Sequence, residues 1–199
     1  MLDKILQQLA AGTAVEWLST AFGVVYALLA VRRIRWCWLS GAVSSLLLVL
    51  LAWRGALPMQ AILQAYYVMM SVYGFWRWSA QGADDALQVG TLDWPIHLAV
   101  LSAIAVLSWL AGPGLAAWSQ AAWPRLDTAV MLGSLFATWL TAQAKIECWL
   151  YWVVIDIASI ALFGAQGLVV VALLYFAYVV IAVSGFFAWN KQWRAQRQM

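Results

Sequence analysis

At 199 residues the chain is 66% hydrophobic, only 10% charged and carries a formal net charge of +3. Soluble domains run at roughly a quarter charged residues, so this composition excludes a soluble enzyme or binding module and points to apolar helices of about 20 residues that span a bilayer. The basic residues sit at the ends of apolar runs instead of forming one patch, which argues against nucleic acid as a partner.

"MLDKILQQLAAG" opens the chain as an amphipathic stretch without the apolar core of a cleavable signal, so residues 1–14 are expected to form a short amphipathic segment. Seven candidate spans follow, at 15–31, 36–53, 59–78, 96–118, 128–143, 148–164 and 168–189. Pro58, Pro95 and Pro124 fall at span boundaries, where a missing N–H does little harm. The longest polar break, "SAQGADDALQVGTLD", precedes the fourth span at residues 79–93. Glu16 and Asp127 stand at helix starts, where a carboxylate suits the dipole. His97 follows Pro95 at a span start and is not expected to be catalytic. Trp78, Trp189 and Trp193 lie near predicted interfaces and read as aromatic-belt anchors. Cys37 and Cys148 read as reduced and buried, and with one histidine in the chain they cannot furnish a four-ligand zinc site. Neither a metal nor another cofactor is expected.

With the N-terminus outside, Arg32, Arg33, Arg35, Arg77, Lys145, Lys191, Arg194 and Arg197 all fall on the cytoplasmic side. Lys4, Arg54 and Arg125 remain outside. That bias predicts a multi-pass protein of the cell's inner (plasma) membrane, N-terminus out and C-terminus in, ending in a cytoplasmic tail at 190–199.

Cys37 and Cys148 are 111 residues apart, and the same offset carries "CWL" onto "CWL" and "YVMMSVYGFWRW" onto "YVVIAVSGFFAW". Glu16 falls on Asp127. One constant offset across three spans indicates internal duplication. Units of three helices would face opposite ways, and a fourth span between them restores a common orientation. The expected fold is therefore an all-α membrane protein of seven transmembrane helices in a 3+1+3 arrangement of parallel repeats. Residues 15–78 form the first repeat, 79–126 a loop and linking helix, and 127–189 the second repeat. Such an architecture places a small-molecule site near the bilayer midplane between the halves.

At about 100° per residue, Trp149, Trp152, Asp156, Ser159 and Phe163 share one face of the sixth span. In the third span Gln60, Gln64, Tyr67, Ser71 and Trp78 share another. Polar stripes of this kind do not face lipid. Asp156 is either a substrate contact or a buried acid that serves helix packing. Its insertion cost of about 2.5–3.5 kcal/mol favours function. Gln60 and Gln64 read either as site residues or as interhelical glue. The offset sets Trp152 against Gly41, Asp156 against Ser45, Gln64 against Tyr175 and Ser71 against Ala182. The scaffold repeats and the polar equipment does not, which suits one asymmetric organic ligand better than an ion pore.

The stretches "LQAYYVMMSVYGFWRW", "WLYWVVIDIASIALFGAQG" and "GFFAWNKQW" resemble the PnuC family of vitamin-precursor transporters, over nearly the whole chain. The resemblance implies a 3+1+3 fold related to the SWEET facilitators, a homotrimer, and facilitated diffusion of nicotinamide riboside. Net uptake would be maintained by a cytoplasmic kinase that phosphorylates the substrate. It maps the substrate face onto Gln64, Ser71, Trp149, Trp152 and Asp156. Asparagine is expected in the nicotinamide riboside pattern where Ser71 and Asp156 stand, which keeps thiamin close behind and neutral riboflavin third. Indole faces favour a cationic ring by about 2 kcal/mol when desolvated. A proton-coupled symporter is an alternative, since a carboxyl such as Asp156 is able to carry a proton. An intramembrane enzyme is the distant alternative, as no H-E-x-x-H or G-x-S-x-G occurs.

Overall fold

A computed structural model describes residues 2–55, 58–80, 88–115 and 123–198. The described chain is helical, in the order α1 (Leu2–Ala11), α2 (Ala14–Val31), α3 (Cys37–Arg54), α4 (Pro58–Ser79), α5 (Trp94–Leu115), α6 (Pro124–Ala142), α7 (Cys148–Ala165) and α8 (Val169–Gln196). Helices α2 to α8 fall on the seven apolar runs. The largest differences are an earlier start of α6 and an α8 that continues through most of the expected tail. Residues 116–118 of the fourth run and 81–87 of the polar break lie outside the described residues.

Helices α2, α3, α5, α7 and α8 are long and apolar enough to cross a membrane. This is a multi-pass membrane protein. The less apolar α4 and α6 carry Gln60, Gln64 and Ser71, and Ser134, Thr138 and Thr141, respectively, and the two helices pack on each other. All of these but the exposed Gln60 are buried, where hydrogen-bonding partners exist and lipid does not reach.

Local signals set the helix ends. Thr13 caps α2 in a reciprocal capping box: its N–H donates to Glu16 Oε2 at 2.7 Å, and the Glu16 N–H donates to Thr13 Oγ1 at 3.3 Å. The C-termini of α2 and α6 close in the same way. Arg33 and Ala144 adopt the left-handed conformation, with φ of 56° and 54°. Ile34 N–H then reaches Leu29 O, and Lys145 N–H reaches Leu140 O. These are Schellman closures made without glycine.

Arg33 and Ala144 are related by the 111-residue offset, as are the ends of α3 and α7. So are the contacts between helices. α3 packs on α2 and α4, α7 packs on α6 and α8, and the two groups meet through α2 against α8 and α4 against α6. Trp78 Nε1 donates to Ala142 O at 3.1 Å, and Trp189 Nε1 donates to Val31 O at 3.1 Å, each bond crossing from one group to the other. Trp38 and Trp78 meet edge-on with ring centroids 5.3 Å apart, and Trp149 and Trp189 do so at 5.4 Å. Gly74 and Gly185 make room for these rings, because a Cβ at either would lie within 2.5 Å of the Trp38 or Trp149 indole. The four indoles are buried at the centre of the core, at the end of the bundle where α2 and α6 terminate.

α5 packs against α6, and Trp94, Trp109 and Leu110 on it remain exposed. α1 packs on α8, where the Gln8 side chain donates to Gly167 O at 2.8 Å and accepts from Val170 N–H at 3.0 Å. One amide therefore pins the α7–α8 turn and satisfies an otherwise unpaired donor at the start of α8.

Candidate functional site

Between the two helical groups lies a cavity of about 880 Å³. All eight residues singled out in the sequence line it: Gln60, Gln64, Tyr67 and Ser71 from α4, and Trp149, Trp152, Asp156 and Ser159 from α7. The helical period explains this, since each set recurs every three or four residues and so faces one way. The two stripes converge because α4 and α7 both pack against α6. Gln64, Ser71 and Asp156 are each 5% exposed, whereas Gln60 is exposed.

The hydroxyls of Ser71 and Ser159 donate back along their own helices, to Tyr67 O and Ile155 O, both at 2.8 Å. Their hydrogens are committed; Ser71 keeps its lone pairs for another donor, while Ser159 has the Tyr175 hydroxyl within hydrogen-bonding reach. Trp152 Nε1 donates to Thr141 Oγ1 at 3.2 Å, which fixes the plane of that indole. By contrast, the buried Trp149 Nε1 and Gln64 Oε1 have no hydrogen-bond partner among the described residues. Orphaned groups of this kind cost free energy unless something completes them. Among the described residues the lining thus holds one fixed indole, one free indole N–H, one free amide oxygen and the Ser71 hydroxyl as an acceptor.

Three carboxylates line the cavity, Glu16, Asp127 and Asp156, and among the described lining residues there is no lysine, arginine or histidine. Glu16 is held by its capping box at the start of α2. Asp127 lies in the first turn of α6. The two stand at equivalent helix starts, away from the indole end, where Trp38, Trp149 and Thr141 bound the cavity. Asp156 sits inside on α7, with Tyr67, Tyr175 and Tyr178 near enough to feel its charge.

Several lining residues were not picked out from the sequence: Tyr26, Thr141, Tyr175 and Tyr178, together with the carboxylates of Glu16 and Asp127. A signal existed for three of them: Thr141 closes a Ser134–Thr138–Thr141 stripe at helical spacing on α6, and the repeat points to two more. Tyr175 and Tyr178 are the offset counterparts of Gln64 and Tyr67, so projecting the α4 stripe through the repeat finds them. Tyr26 has no such signal, because its counterpart is Ala137.

The aromatic-belt assignment of Trp78 and Trp189 is corrected. They are 7% and 0% exposed, and their indole N–H groups are spent on backbone carbonyls of the facing helices. Trp193 is half-buried, with the Arg197 guanidinium 4.1 Å from its ring centroid. His97 is buried away from the cavity, with Nδ1 3.0 Å from the Tyr151 hydroxyl. Both cysteines are free and buried.

A family model described as nicotinamide mononucleotide transporter matches residues 13–191. The chain is 26% identical over 183 residues to the riboflavin/roseoflavin transporter RibM of Streptomyces davaonensis, covering 87% of this chain and 83% of that one. It is 25% identical over 154 residues to the nicotinamide riboside transporter PnuC of Escherichia coli, covering 64% of each. A crystal structure of the vitamin B3 transporter PnuC superposes with a TM-score of 0.71 at 20% identity, over 89% of this chain and 81% of that one, and so shares the fold.

Proposed function

The chain belongs to the nicotinamide mononucleotide transporter (PnuC) family, a family of transporters, and from that premise we propose that it imports a small cationic vitamin precursor, nicotinamide riboside first. The observation that carries this reading is the charge of the cavity. Its lining has three carboxylates and no basic side chain among the described residues. A pyridinium ring meets carboxylate and indole faces there, an attraction of about 2 kcal/mol or more in a desolvated site. A phosphorylated nucleotide would bring two negative charges to a lining that offers no cation, and burying charge without a partner costs several kcal/mol, roughly. The unphosphorylated nucleoside is therefore the better substrate. At about 880 Å³ the cavity is in the range, roughly 300–1,000 Å³, of small-molecule sites.

Within the cavity, Trp149 and Trp152 supply the aromatic contacts to the ring. Asp156 pairs with its charge, and Gln64, Ser71 and Ser159 meet the amide and hydroxyl groups. Tyr67 forms part of the wall, and Gln60 stands at the mouth. The repeated helix ends, the paired Trp78 and Trp189 bonds and the shared left-handed positions support seven spans in a 3+1+3 arrangement of parallel repeats, residues 15–78 and 127–189 flanking the linking helix. The N-terminus lies outside and the C-terminus in the cytoplasm, by the bias of basic residues. The family resemblance supports a homotrimer working by facilitated diffusion, with phosphorylation by a cytoplasmic kinase trapping the product.

Riboflavin is the second reading, favoured by the match to the riboflavin/roseoflavin transporter. Thiamin, a cation, fits the same charge argument. Counterflow into proteoliposomes decides between these readings. Uptake of labelled nicotinamide riboside should be saturable, insensitive to a proton gradient, and competed by excess unlabelled nicotinamide riboside more than by riboflavin. Uptake that requires an inward proton gradient would replace the facilitator with a symporter, and preferential competition by riboflavin would replace the substrate.

A further inference from the structure

The 111-residue offset sets Tyr178 of α8 on Tyr67 of α4, and Gly23 of α2 on Ser134 of α6. The contacts are related in the same way. Tyr67 reaches across to α6, where its hydroxyl is within hydrogen-bonding reach of the Ser134 side chain. Tyr178 reaches across to α2, where its hydroxyl oxygen lies 2.8 Å from the position that a Cβ on Gly23 would occupy. At one interface a phenol meets a hydroxyl. At the other, the equivalent phenol meets bare backbone.

The Tyr178 ring is nevertheless held in place. It packs edge-on against Tyr175 with centroids 6.1 Å apart, and Tyr175 stacks on Phe163 at 5.3 Å with the planes 9° apart. All three line the cavity. Ser44 Oγ is the other side-chain atom near the Gly23 position, and its hydrogen is donated to Ser19 O at 2.8 Å. No described residue hydrogen-bonds to the Tyr178 hydroxyl. Tyr178 is partly exposed and lines the cavity, so its positioned hydroxyl is open to a ligand there.

We propose that Tyr178 is a specificity-determining substrate contact, its hydroxyl left for a hydroxyl or carboxamide group of the ligand because position 23 carries no side chain to cap it. The proposal rests on the transporter reading above and adds to it a polar contact from α8, opposite the amide and hydroxyl of α4. It also gives the broken symmetry a purpose. Ser134 retires Tyr67 into the wall of the site, and Gly23 keeps Tyr178 in service. A serine at position 23 would both crowd the phenol and offer it a competing hydroxyl.

A double-mutant cycle on purified protein tests this, with nicotinamide riboside as the probe and thermal unfolding as the check on folding. Tyr178→Phe removes one oxygen and should weaken binding about tenfold with little change in melting temperature. Gly23→Ser should weaken binding to a similar extent. In the Gly23→Ser background, Tyr178→Phe should cost less than about twofold, because the hydroxyl is already occupied. Wild-type affinity in a folded Tyr178→Phe variant would overturn the proposal while leaving the transporter reading intact. An equal loss in both backgrounds, accompanied by a lower melting temperature, would assign Tyr178 to packing and also overturn it. Failure of the wild-type protein to bind the probe at all would instead remove the substrate reading, and the proposal with it.

Discussion

Asp156 is 5% exposed, faces a cavity without a basic lining residue, and is ringed by three phenols. Asp156→Asn keeps the shape and removes the charge. Thiamin affinity should fall by about 1–3 kcal/mol, taking an effective dielectric near 20, while nicotinamide riboside, whose carriers are expected to have asparagine here, should hold or gain. Titration of both ligands against both proteins reads this directly, and equal affinities throughout would place Asp156 in packing. Trp152, oriented by Thr141, should lose at least about tenfold in affinity on Trp152→Ala, read from ligand quenching of the remaining tryptophans. At this scale the sequence was informative wherever a polar residue repeated at helical spacing along an apolar helix. Tyr26, standing alone, gave no such pattern, and its place in the cavity depends on how α2 packs; Thr141 belongs to a Ser134–Thr138–Thr141 stripe on α6 that carried the same signal and was not used.

Among the elements, the indole pair is the most exacting feature. Trp78 and Trp189 each spend their N–H on a carbonyl at the end of a helix from the other group, and each meets edge-on a further indole seated over a glycine. Trp78→Phe and Trp189→Phe should each destabilise by about 1 kcal/mol for the lost hydrogen bond, with a further loss from imperfect filling of the core. Thermal unfolding in detergent measures this, and the two variants should behave alike. A silent Trp189→Phe beside a damaging Trp78→Phe would mean that the two bonds are not equivalent in the working protein. The sequence placed Trp78 near the end of its helix correctly, but α8 runs about two turns beyond Trp189, and both were assigned to the lipid interface. Distance from a helix end does not reveal which side of the helix a ring occupies. Both Gly74 and Gly185 were present in the matched stretches, and a small residue four positions before each tryptophan is a signal of close packing on that same face.

Across the whole molecule, the order of the helices was legible because bilayer length fixes helix length, and the 111-residue offset anticipated which helices make equivalent contacts. The less legible parts were the ends. Whether the closing residues continued α8 or left it depended on helix propensity without any breaker, and α8 runs on to Gln196. The orientation of the chain is a prediction from its basic residues. A reporter fused to the C-terminus should be active only in a form that works in the cytoplasm, and activity of a form that works outside would reverse the orientation or change the number of spans. The central claim, that the carboxylate-lined cavity takes an unphosphorylated cationic precursor, is tested most directly by calorimetric titration of the purified protein with nicotinamide riboside and with nicotinamide mononucleotide. The nucleoside should bind, and the mononucleotide should bind at least about a hundredfold more weakly, for want of a cationic partner for its phosphate. Equal or tighter binding of the mononucleotide would contradict the claim.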